Sequence, residues 1–160
     1  MYTASAREIR KELQYKTQNE LIEICMRASR FKKDTKELLS YLLFEAENED
    51  HYIASIQQYI DNEFLLVKKM SPYRFQKAIR KILRTSKKYC RYSGKKETEA
   101  AVLLHFCEKM IEHIPKLKNR SVLKGIYIRQ MALAEKAISS LHEDLQYDYK
   151  QMAAKLSTLN

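Results

Sequence analysis

Apolar positions recur every three or four residues along almost the whole chain, the period of an α-helix that buries one face. Thr17 and Glu20 form a T-x-x-E capping box ahead of Leu21, Ile22, Ile24, Cys25 and Met26. There the threonine oxygen and the glutamate satisfy N–H groups that a helix start leaves unpaired. Asp34 and Glu37 repeat the spacing ahead of Leu38, Leu39, Tyr41, Leu42, Leu43 and Phe44. A segment apolar on nearly every side suits a central position, so this third helix is expected to be contacted from several directions. A fourth helix is predicted over about 49–69, with Tyr52, Ile53, Ile56, Tyr59, Ile60, Phe64 and Val67 on one face.

Ser71-Pro72 marks the next start, because proline lacks the N–H that the first helical position does not need. Gly94 marks its end, since glycine takes the left-handed C-cap without steric cost. A sixth helix is predicted over about 96–113, with Ala100, Ala101, Leu103, Leu104, Cys107, Met110 and Ile111 inward and Pro115 as its stop. A seventh opens near Ser121 and carries Ile126, Met131, Ala134, Ile138 and Leu141. Shorter helices over about 4–13 and 143–156 complete the set. The fold class expected is all-α: about eight short helices in antiparallel hairpins, forming an α-α superhelix or a compact multihelical array.

Composition supports that class. The 160 residues include two Gly and two Pro, too few for the tight turns of a strand-rich fold. The length suits one domain with a real core. Cys25, Cys90 and Cys107 show no C-x-x-C pairing, which points to buried thiols in a reducing compartment, and the N-terminus has no apolar run, so a cytoplasmic location is expected. The succession of short helices resembles an irregular HEAT-like or armadillo-like array, although the W-x-x-L-G-x-x-Y pattern of tetratricopeptides is absent. That resemblance implies a scaffold for binding other macromolecules.

Charge changes the picture most. The formal net charge is +10. Residues 1–63 hold 9 Lys/Arg against 12 Asp/Glu, residues 97–160 hold 9 against 8, and residues 64–96 hold 12 against none. One segment therefore supplies the excess. On a helical wheel Phe75, Ala78, Ile79, Ile82, Leu83, Ser86, Tyr89 and Cys90 fall on one side, while Arg74, Lys77, Arg80, Lys81, Arg84, Lys87, Lys88 and Arg91 fall on the other. These eight are the expected partner- or polyanion-binding residues. Like charges at i,i+4 are mildly destabilising, so the face is either a solvated one partly balanced by Glu45, Glu47, Glu49, Asp50, Asp61 and Glu63, or one that meets a polyanion. The partner can be a protein with an acidic surface, or a nucleic acid whose phosphates the ridge tracks while Tyr73 and Tyr92 stack on bases. A membrane surface is disfavoured, because the core needs the apolar face.

Candidate chemistry is sparse. His105, Glu108 and Glu112 share a helix face at ligand spacing, but a ferritin-like site needs E-x-x-H on two helices. His113 at a helix C-terminus, and the acids of 45–51 near a helix start, fit roles at the helix dipole. The 45–51 run lacks the glycine and spacing of a calcium loop. No nucleophile elbow, Walker loop or dinucleotide fingerprint occurs. The expectation is an interaction module without a cofactor; a metal protein or enzyme using 105–112 is the remaining alternative.

Overall fold

A computed structural model describes residues 2–67, 70–114 and 117–158. Among them are eight α-helices and no strand: α1 (Ala6–Gln14), α2 (Gln18–Phe31), α3 (Lys33–Ser40), α4 (Glu49–Val67), α5 (Pro72–Ser93), α6 (Lys96–His113), α7 (Ser121–Ile138) and α8 (Glu143–Thr158). The all-α multihelical class is thus observed. The expected continuation of α4 to Lys69, the cations Lys68 and Lys69, and the helix stop at Pro115 lie outside the described residues. By contact the chain forms two compact units, Met1–Phe44 and Glu45–Asn160.

In the first unit, helix starts are built by local chemistry. Ser5 caps α1 by accepting from the Glu8 N–H, while Glu8 accepts from the Ser5 N–H at 2.8 Å. Thr17 and Glu20 form the reciprocal pair at α2, again at 2.8 Å for the backbone donor. Asp34 is not the N-cap that the expected box with Glu37 requires. α3 begins one residue before Asp34, with Lys32 as its N-cap and no side-chain cap bond. Asp34 thus lies inside the first turn, where its charge favours the dipole instead. Nor is this segment central: α1, α2 and α3 bury no residue, and the chain leaves α3 through a π-helical turn, Tyr41–Glu45, where Tyr41 is buried but Leu42, Leu43 and Phe44 are exposed.

In the second unit the central element is α6. Nine of its residues are buried, among them Ala100, Val102, Leu103, Phe106, Cys107 and Met110, and it meets α4, α5, α7 and α8. Its small residues let neighbours approach, and its large ones fill the interior. Phe64 of α4 meets Phe106 edge to face at 5.7 Å and stacks on His113 at 5.5 Å. The Tyr52 hydroxyl donates to the Tyr89 carbonyl at 3.1 Å, fixing α4 against α5. The Tyr127 hydroxyl donates to the Leu156 carbonyl at 3.0 Å, fixing α7 against α8. Burial pushes the Cys90 and Cys107 thiols up to about 12, so both remain neutral packing groups.

Candidate nucleic-acid or acidic-partner interface

α5 starts and stops where its sequence dictates. Ser71 is the extended N-cap, Pro72 occupies the first turn, and Gly94 takes φ 69° at the C-cap, its N–H donating to the Cys90 carbonyl at 2.9 Å. Ile79, Ile82, Ser86 and Cys90 face inward and are buried; the Ser86 hydroxyl donates to the Ile82 carbonyl at 2.9 Å, so the one polar group on this face is satisfied. Phe75, Ala78, Leu83 and Tyr89 are half-buried at the margin.

The opposite face presents the predicted ridge. Arg74, Lys77, Arg80, Lys81, Arg84 and Arg91 are exposed; Lys87 and Lys88 are half-buried. Lys88 lies over the rings of Tyr89 (5.5 Å) and Tyr92 (5.9 Å), so Tyr92 already carries a cation, whereas Tyr73 is 78 % exposed. Along α5 the cations span about 26 Å from Arg74 to Arg91, at about 1.5 Å per residue.

Three of the acids that precede α5 have partners other than Arg74, Lys77, Arg80, Lys81, Arg84, Lys87 and Arg91. Glu45 pairs with His51 at 3.2 Å. Asp61 accepts from His105 at 2.7 Å and lies 3.7 Å from Lys109. Glu49 turns to the far end of α5, where it accepts from the Ser93 and Thr98 hydroxyls and pairs with Lys95 at 2.9 Å. Among the described residues, Arg74, Lys77, Arg80, Lys81, Arg84, Lys87 and Arg91 have no carboxylate within 4.0 Å. The Glu49 junction was not visible in the sequence, because its partners lie more than 40 residues away.

The second candidate face behaves differently. His105 lies between Asp61 (2.7 Å) and Glu108 (3.6 Å). Glu112 is drawn away to Lys109 at 2.8 Å, the same ammonium that approaches Asp61. The Glu112 hydrogen bond, and behind it Asp61, raises the Lys109 pKa, so this cation stays charged between the two acids. His105 and Glu108 are thus brought together but Glu112 is not, and among the described residues no group of three potential ligands is placed to hold a metal. His105 does border a cavity of about 610 Å³ between α4, α6 and α8, walled by Ile53, Leu104 and Met152 and edged by Asp50, Glu108 and Lys155. His113 sits at the C-terminus of α6, as its position before Pro115 suggests, and gains its stacking on Phe64.

No helix among the described residues is long and apolar enough to cross a membrane. Comparison with protein-family models, curated proteins and solved structures gives no match.

Proposed function

We propose that the protein is a helical interaction module that docks an acidic macromolecular partner on the cationic face of α5. One observation carries this reading: among the described residues seven α5 cations have no carboxylate within 4.0 Å, while Glu45, Glu49 and Asp61 pair with His51, Lys95 and His105. Unpaired cations in a row attract polyanions through counterion release and through the field they sum. Its setting is cytoplasmic, where Cys25, Cys90 and Cys107 stay reduced as the free thiols seen here.

A nucleic acid is the second reading, favoured by Tyr73. A ring 78 % exposed beside Arg74, Lys77 and Arg80, which have no carboxylate within 4.0 Å among the described residues, has the arrangement that stacks on an unpaired base while phosphates follow the cations. Fluorescence anisotropy with a 20-residue poly-glutamate and a 20-nucleotide single strand, over a salt series, tests both. Binding should fall steeply with salt, and the triple variant Lys77→Gln/Arg80→Gln/Arg84→Gln should lower the single-strand log–log slope by about 2, at about 0.7 per lost contact. Loss of single-strand affinity in Tyr73→Ala without loss of poly-glutamate affinity selects the nucleic acid. Absence of binding to both polymers at low salt rejects the interface.

A further inference from the structure

The cationic ridge ends in a concavity of about 480 Å³ between the last turns of α5 and the first turn of α6. Lys87, Cys90 and Arg91 line it from α5; Lys95, Lys96 and Glu99 line it from the α6 side. The charges there are not equivalent. Lys95 is tied to Glu49 at 2.9 Å and Lys96 to Glu99 at 2.7 Å, so each acid in reach already has a cation. Lys87 and Arg91 are left over, with no carboxylate within 4.0 Å among the described residues. They are four residues apart, hence neighbours on one helix face with Cβ atoms about 6 Å apart. Cys90 adds no opposing charge, because burial holds its thiol up at about 12.

We propose that this concavity is a discrete site for a dianionic phosphate monoester, its phosphoryl group held between Lys87 and Arg91. Two surplus positive charges match two negative ones. The guanidinium supplies a planar fork that fits two phosphoryl oxygens, and the ammonium acts as a compact point charge beside it. The volume falls within the range of about 300–1,000 Å³ typical of small-ligand sites, which leaves room for the esterified alcohol next to the phosphoryl group. The proposal rests on the reading of α5 as an anion-binding face, but differs from it in kind. Polymer binding is spread over the ridge, whereas this site is local, saturable and selective for charge.

The experiment is a ¹⁵N–¹H NMR titration of the full chain at constant ionic strength, with methyl phosphate and then dimethyl phosphate. Methyl phosphate should give saturable shifts of the Gly94, Lys95 and Lys96 amides, with at least fivefold weaker binding of the singly charged diester. Lys87→Gln or Arg91→Gln should weaken methyl phosphate at least fivefold. Arg74→Gln, about 20 Å along the helix from Lys87 and about 26 Å from Arg91, should leave it unchanged. Equal affinity for both esters, shifts that do not saturate, or equal loss in Arg74→Gln would overturn the site. Saturable methyl phosphate binding without polymer binding would uphold the site and reject the ridge. Polymer binding without a saturable methyl phosphate response would do the reverse.

Discussion

The helices of residues 1–44 and those of residues 45–160 carry comparable apolar patterns, yet the two units are stabilised in different ways. In the second, Ile60, Phe64, Ile79, Ile82, Leu103, Phe106 and Met110 are wholly enclosed. In the first, Ile9, Leu13, Ile22, Ile24 and Met26 are between about a third and a half exposed, and α1, α2 and α3 bury nothing. The first unit carries short-range contacts, the Ser5–Glu8 and Thr17–Glu20 boxes and the i,i+4 pairs Lys16–Glu20 and Lys33–Glu37, beside the packing of α2 on α3 and the buried Tyr41. Contacts of that kind contribute about 0.3–0.5 kcal/mol per exposed ion pair and about 1 kcal/mol per cap, against about 1.5–3 kcal/mol for each large buried side chain. A helical pattern is therefore enough to make a helix, but only distant partners turn its apolar face into a core.

That contrast can be broken or sharpened by three experiments. The largest effect is expected from Phe106→Ala, which removes the ring facing Phe64 at the centre of α6 and should cost about 3–5 kcal/mol in denaturant unfolding of the second unit. Glu49→Ala should come next, at about 1–3 kcal/mol, because it leaves the Ser93 and Thr98 hydroxyls and the Lys95 ammonium without their shared acceptor. The cost of either should appear in the hydrogen exchange of α4, α5 and α6 amides and not in that of α1. The smallest effect concerns pH in the first unit. The Tyr2 hydroxyl and then the Ser5 N–H hold the Glu8 carboxyl down to about 2. A depressed carboxylate contributes above its unfolded pKa, about 4.3, and that contribution is lost as pH falls through about 2. The α1 amides should thus lose protection between about pH 4 and 2, followed by amide exchange, and Glu8→Gln should remove that dependence.

Much of this architecture was legible in the sequence where a single residue dictates local geometry. Pro72 and Gly94 bracket α5 as expected, and α6 runs over the expected 96–113. The central helix was misread because Leu38–Phe44 and Ala100–Cys107 are both nearly continuous apolar runs, and periodicity does not say which run other helices will cover. The cationic composition of α5 was equally plain. The fate of the acids was not: Asp61 meets His105 across 44 positions and Glu49 meets Thr98 across 49, pairings that only the packed helices create. The concavity at Lys87 and Arg91 needed both α5 and α6 in place, so no motif announced it.

The central claim is that the counter-charge of α5 is supplied from outside the chain, and stability measures this more directly than binding does. Thermal unfolding of Arg80→Gln/Arg84→Gln should be compared with the parent chain at low and at high salt. These two cations stand at i,i+4 with no carboxylate within 4.0 Å among the described residues, so their removal should leave stability unchanged or raise it by about 0.2–0.5 kcal/mol at low salt, and the gain should vanish at high salt. A loss of about 1 kcal/mol or more at low salt that high salt diminishes would mean that the face is neutralised within the chain, and would contradict the account.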